Sequence, residues 1–187
     1  MSDQNRAIFL DRDGVLNQAL VRGGKPFAPR TLNEFEILPE APDALVALKK
    51  AGFLLIIATN QPDLGRGEMA AEELERMHQA LRLAMPIDLI KVCPHSDKDD
   101  CGCRKPKAGM LTDAAAELGL DLSRSYMVGD RWRDVDCGVA AGVTSVFIDR
   151  GYEEKRPTAQ AYTATDIADA ATWIGLDFNR RSSQHFT

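Results

Sequence analysis

Asp11 and Asp13 stand two residues apart, directly after the apolar run at residues 7–10. Two carboxylates so placed at the end of a strand can share one divalent cation, and hard oxygen ligands suit Mg²⁺. Such a cation also eases the approach of a carboxylate to a phosphate dianion. Gly14 allows the chain to turn away at once. Read alone, Asp11-Arg12-Asp13-Gly14-Val15 is equally a solvated turn. Thr59-Asn60-Gln61 follows a second apolar run and offers a hydroxyl and amides to phosphoryl oxygens, or simply a polar loop start or helix cap. Arg104-Lys105-Pro106 brings two cations ahead of a helix that Pro106 can open, or a solvated basic pair. Gly129-Asp130-Arg131, with Asp134 beyond, adds carboxylates after a fourth run, or an Asp-capped helix. Taken together, an acid pair, a hydroxyl, a lysine and another acid are the parts of a phosphoryl-transfer site.

A second cluster is softer in character. Cys93-x-His95 and Cys101-x-Cys103 supply three thiols and one imidazole, a Cys₃His set suited to tetrahedral Zn²⁺. All four positions are protein ligands, so the zinc is expected to be structural. Incidental thiols or a disulfide are the alternatives. Cys137 stands alone and reads as a small core residue, and His78 as packing on a helix face.

The elements that must position these groups show in the hydrophobic periodicity. Short apolar runs at residues 7–10, 53–58, 87–92, 126–128 and 143–148 read as strands buried on both faces. Between them, Ala41, Ala44, Leu45 and Leu48 follow the helical spacing, with Gly52 as a stop. Leu74, Met77, His78 and Leu81 repeat it, as do Leu111, Ala114, Ala115 and Leu118; Val135, Val139 and Ala140; and Ile167, Ala170, Ala171 and Ile174. This alternation predicts a parallel sheet covered by helices on both faces, with ligands beyond the carboxyl ends of the strands. Asp11, Thr59 and Asp130 all fall at such ends and are expected to converge. Residues 16–38 and 94–107 read as loops, and 177–187 as a polar tail after a single domain spanning 1–176.

The 187 residues suffice for one domain with a sizeable core, at 44% hydrophobic and 27% charged. A net charge of −5 excludes coating nucleic acid, which needs a basic surplus, but leaves room for a small anion held by a local positive patch. No apolar run reaches membrane-span length, and the polar stretch before residue 7 does not resemble a signal peptide. A cytoplasmic monomer, acting on a small molecule without nucleic-acid or membrane partners, is the expectation.

With Asp11-Arg12-Asp13-Gly14-Val15, Thr59-Asn60-Gln61, Lys105 and Gly129-Asp130-x-x-x-Asp134 in place, the chain resembles the haloacid dehalogenase (HAD) superfamily of phosphatases over residues 6–148. The resemblance implies a Rossmann-like three-layer α/β/α fold and an aspartyl-phosphate mechanism. Asp11 would be the nucleophile. Asp13 would act as general acid and then base, touching the metal through its backbone carbonyl. Asp130 would complete the Mg²⁺ ligands with Asp134 behind it, and Thr59 and Lys105 would stabilise the transferring phosphoryl group. Asn60, Gln61, Arg104 and Arg131 would contact substrate. The run from Cys93 through Lys105 further resembles the heptose 1,7-bisphosphate phosphatases and their histidinol-phosphate phosphatase relatives, in which a zinc loop leads into the substrate-contacting Arg and Lys. The 16–38 interval is too short for a cap domain, so a capless enzyme is expected, with Arg22, Lys25, Arg30 and Trp132 as open candidates at its mouth. Removal of the 7-phosphate from a heptose 1,7-bisphosphate, on the way to nucleotide-activated heptose, is the leading expectation. A histidinol-phosphate phosphatase and a non-catalytic zinc-stapled module are the alternatives.

Overall fold

A computed structural model describes residues 6–184. The polar stretch before Arg6 and the last three residues, His185 among them, lie outside the described residues. The chain runs β1 (Ala7–Leu10), β2 (Leu20–Arg22), β3 (Lys25–Phe27), α1 (Ala41–Lys50), β4 (Leu54–Asn60), α2 (Pro62–Gly65), α3 (Ala71–Ala84), β5 (Leu89–Cys93), α4 (Gly109–Leu118), β6 (Tyr126–Gly129), α5 (Trp132–Ala141), β7 (Thr144–Ile148), β8 (Tyr162–Ala164) and α6 (Ile167–Gln184). Six strands form one sheet in the order β5-β4-β1-β6-β7-β8, every neighbouring pair parallel.

The apolar runs lack polar alternation because both faces of the sheet are covered. Ile8, Leu10, Leu55 and Ile57 point to one side and pack with Leu45 and Leu48 of α1 and Ile167 and Ile174 of α6. Ala7, Phe9, Ile56 and Ala58 point to the other and pack with Leu111 and Ala114 of α4 and Cys137 of α5. Each fully buried Leu or Ile contributes about 1.5–3 kcal/mol. The result is the expected three-layer sandwich. Successive strands are added on either side of β1, so the chain reverses its direction of growth there, and a crevice opens beyond the carboxyl ends of β4, β1 and β6.

The structure departs from the sequence reading in three places. The 16–38 interval carries an antiparallel hairpin, pairing Leu20 with Phe27 and Arg22 with Lys25 across Gly23 and Gly24, both at positive φ. Strands of three residues are too short to show alternation. The edge strand β8 escaped notice for the same reason. The tail boundary at residue 176 also moves, because α6 continues through Gln184. Asp177 is buried there, accepting the Tyr126 hydroxyl at 2.9 Å and pairing with Arg181 at 2.7 Å, and Phe178 meets Phe53 edge-on at 5.1 Å. The interval after Asp13 holds the hairpin and a short 3₁₀ turn, and that before Lys105 holds α2, α3, β5 and the cysteine loop. Among the described residues neither interval folds into a cap.

Candidate active site

β1, β4 and β6 deliver Asp11, Thr59 and Asp130 to one crevice, as their places at strand ends predict. The Asp11 N–H donates to the Val128 carbonyl at 2.9 Å, which ties the end of β1 to β6. The Lys105 ammonium sits 2.8 Å from Asp11 Oδ1 and 2.6 Å from Asp134 Oδ1, with all three side chains buried. Asn60 fixes the backbone of that lysine from both sides. Its Oδ1 accepts the Lys105 N–H and its Nδ2 donates to the Lys105 carbonyl, each at 3.1 Å. Asp134 Oδ2 accepts the Arg131 N–H at 3.0 Å and so closes the first turn of α5.

Burial and neighbouring charge set the electrostatics. Burial raises Asp11 to about 6, with Asp134 and Asp13 adding to the rise and Lys105 opposing it. Asp130 is raised well above the usual carboxylate range, first by burial and then by Asp11 and Asp134. Burial alone would depress Lys105, but the Asp11 and Asp134 carboxylates outweigh it and hold the ammonium charged.

Whether a hard cation fits can be judged from the same residues. Oxygens of Asp11, Asp130 and Asp134 all lie within 4.8 Å of one another. Three buried carboxylates face one lysine, and neither Asp130 oxygen receives a hydrogen bond of ordinary geometry, although the Tyr152 hydroxyl lies beside the group. The cluster is short of positive charge and rich in hard oxygen, which fits Mg²⁺. Asp13 contributes no carboxylate to it. Its side chain turns to Arg12, Asn17 and Gln61, so a metal contact from this residue is left to its backbone carbonyl.

The softer cluster is equally compact. The sulfurs of Cys93, Cys101 and Cys103 lie 3.2 to 3.7 Å apart, and His95 Nδ1 lies 3.6 Å from Cys93 and 3.3 Å from Cys103. A tetrahedral zinc with Zn–S of about 2.3 Å sets its ligands about 3.8 Å apart, whereas a disulfide needs about 2.05 Å. The donor set fits zinc. Burial pushes Cys101 up, but hydrogen bonds from the Arg104 N–H and the other two thiols bring it down to about 7, toward the thiolate a metal binds.

Arg104 emerges from this loop with Nη1 on the His95 carbonyl at 2.9 Å and Nε on Asp97 at 2.8 Å. It lines a cleft of about 290 Å³ with Asp11, Lys105, Asn60, Arg131 and Lys25. Arg131 is paired with Glu154 at 2.9 Å. Among the described residues Lys25 lines the cleft without a carboxylate partner. Arg30 turns to Asp63 and Glu68, Arg22 lies over Phe27, and the Trp132 ring is met by Arg133 and Lys155. Gln61, expected on the substrate side, is fully enclosed, and its amide faces Thr59 and Asp13 instead. Sequence reasoning overlooked Arg12, Asn17 and Asp97. No strand period reaches Arg12, because β1 ends at Leu10 and both faces of the sheet are buried; its enclosure follows from the turn after Asp11 folding back over the site.

A doubly wound parallel sheet bearing Asp11, Lys105 and Asp130 at its carboxyl edge is the architecture of a HAD-type hydrolase. The HAD-hydrolase-like family model matches residues 102–172. The D-glycero-β-D-manno-heptose-1,7-bisphosphate 7-phosphatase of Haemophilus influenzae is 37% identical over 74% of this chain and 78% of its own. The enzyme of the same name from Escherichia coli is 36% identical over 86% of each chain. The crystal structure of a D,D-heptose 1,7-bisphosphate phosphatase from B. bronchiseptica, complexed with magnesium and phosphate, superposes with a TM-score of 0.79 at 30% identity, over 92% of this chain and 99% of that one. The chain belongs to this family of HAD phosphatases.

Proposed function

We propose that this protein is a Mg²⁺-dependent phosphomonoesterase that removes the 7-phosphate of D-glycero-β-D-manno-heptose 1,7-bisphosphate. The observation that carries the reading is the buried set of Asp11, Lys105, Asp130 and Asp134 at the strand ends, in a chain whose relatives bear that enzyme's name. An Asp11 oxygen attacks phosphorus, and the bond to the sugar oxygen breaks as Asp13 gives that oxygen a proton. The phosphoryl group then resides on Asp11 as an acyl phosphate. Asp13 takes a proton from water, whose oxygen attacks phosphorus, and Asp11 is released with inorganic phosphate. Lys105 neutralises charge on the phosphoryl oxygens and Thr59 donates to them. Asp11, Asp130 and the Asp13 carbonyl would hold Mg²⁺, with Asp134 behind them; the ion would supply charge neutralisation for the phosphoryl group. Cys93, His95, Cys101 and Cys103 would hold a structural zinc that keeps Arg104 and Lys105 in place. Arg104, Arg131 and Lys25 give the cleft a positive wall for the second phosphate. The thiol cluster supports a reducing, cytoplasmic setting.

Phosphate release from the β-anomer, the α-anomer and histidinol phosphate, each with Mg²⁺, tests this reading. The β-anomer is expected to be the best substrate, and Asp11→Asn to reduce turnover at least about 10⁴-fold while the protein stays folded. An Asp11→Asn protein with wild-type turnover would refute the nucleophile, and preference for histidinol phosphate would refute the substrate.

A further inference from the structure

Arg12 and Gln61 take part in no step above, yet both are fully buried beside the site. Resting on the phosphatase reading, we propose that they are positioning residues: together they aim the Asp13 carboxyl group, and Gln61 also fixes the direction of the Thr59 hydroxyl.

Arg12 grips Asp13 in a fork. Its Nε and Nη2 lie 3.0 and 2.9 Å from Asp13 Oδ1, and Nη2 lies 3.0 Å from Oδ2. Among the described residues Asp13 is its sole carboxylate partner. A buried guanidinium is costly to stability, and an apolar side chain of like volume would serve the core better. What the fork secures is the plane and direction of one carboxyl group.

Gln61 completes the hold. Its Nε2 donates to Asp13 Oδ2 at 2.8 Å and to Thr59 Oγ1 at 2.9 Å, which uses both amide hydrogens. Turning the amide over would set its oxygen against the Asp13 carboxylate, so Asp13 decides the orientation. Oε1 is left without a partner, a penalty accepted for this arrangement. Because Thr59 Oγ1 accepts from Gln61, its own hydrogen is free for another acceptor, the place a phosphoryl oxygen fills. The Gln61 N–H donates to the Cys93 carbonyl at 2.7 Å, and Pro62 opens α2 at once, so the backbone behind the amide is anchored too. One side chain thereby couples Thr59, the hydrogen-bond donor to the phosphoryl oxygens, to the proton donor Asp13.

The dependence of rate on the leaving group tests this. An alkyl phosphate needs a proton on its departing oxygen, and p-nitrophenyl phosphate does not. In Gln61→Met, which keeps the volume, and Arg12→Lys, which keeps the charge, kcat/KM is expected to fall about 100-fold for an alkyl phosphate. For p-nitrophenyl phosphate the fall is expected to stay below about 10-fold, because the proton transfer is not needed. Equal losses on both esters, no loss on either, or failure of the variants to fold would overturn the positioning role. Wild-type protein inert on every ester would overturn the phosphatase reading and this one with it, whereas an active wild type with equal losses in the variants overturns this one alone.

Discussion

A methyl group at Gly14 would stand 1.8 Å from Asp130 Oδ2 and 2.6 Å from its carboxyl carbon, and the φ of +84° there already disfavours any side chain. The glycine that turns the chain after Asp13 is therefore also the floor against which Asp130 rests. Gly14→Ala is expected to push Asp130 aside and weaken Mg²⁺ binding at least about tenfold, a loss of roughly 1.4 kcal/mol, readable by titration calorimetry without turnover. Unchanged affinity would show that Asp130 does not hold the ion. Residue chemistry of this kind was half legible in the sequence. The types at Asp11, Thr59, Lys105 and Asp130 and their strand-end places were readable because both follow from local pattern. What Asn60 and Gln61 face was not, since it depends on Lys105 and Asp13 arriving from distant parts of the chain. An amide suited to a phosphate is equally suited to clamping a lysine backbone or a carboxylate.

Among the elements, the loop between β5 and α4 does most to assemble the site from short pieces. Cys93 closes β5 and accepts the Gln61 N–H through its carbonyl, and Cys103 leads without a gap into Arg104 and Lys105. Residues 94–103 form neither helix nor strand, and the bonds that hold them are few and mostly at the exposed surface, such as Arg104 and Arg133 to Asp97 and Lys107 to Asp100. A metal at the cysteine and histidine cluster would therefore be their main inner tie. Removing zinc with a strong chelator is expected to lower the melting midpoint by about 10 °C, as the loss of several kcal/mol would in a domain of this size. Phosphatase activity should fall with it, and Cys101→Ser should reproduce both effects. A chelated protein with an unchanged midpoint would refute the structural role. At this scale the sequence was most informative where burial was two-sided. β1, β4 and β6 and the amphipathic stripes of α1, α3 and α4 stand where the patterns put them. The β2–β3 hairpin and β8 were missed because three residues carry no period. The end of α6 was missed because Asp177 reads as polar tail until Tyr126 arrives to bond it.

Over the whole molecule the formal charge is −5, but the imbalance that matters is local: Asp11, Asp130 and Asp134 against Lys105. Stability should therefore depend on pH and metal together. In the metal-free fold Asp11 is raised from 3.8 to about 6 and Asp130 is raised well above 3.8, so the fold favours their protonated forms. A raised carboxylate contributes stability that is full below its unfolded value and lost as pH rises through its folded one. The metal-free protein thus loses this contribution between about pH 4 and pH 6 for Asp11, and higher for Asp130. His78 works in the opposite sense. Burial, then Arg12 and Arg82, lower it from 6.5 to about 4, so its contribution is full above 6.5 and lost as pH falls toward 4. His78 enters the metal-free and Mg²⁺-loaded proteins alike, and the difference between their melting midpoints isolates the acid cluster. Mg²⁺ binding must displace protons below about pH 6, which costs about 1.4 kcal/mol per pH unit for each proton. The rise in midpoint on adding Mg²⁺ is accordingly expected to be large at pH 8 and to shrink steadily toward pH 5. A rise independent of pH would mean that the ion binds away from Asp11 and Asp130, and a rise that grows toward pH 5 would contradict the sign of both shifts.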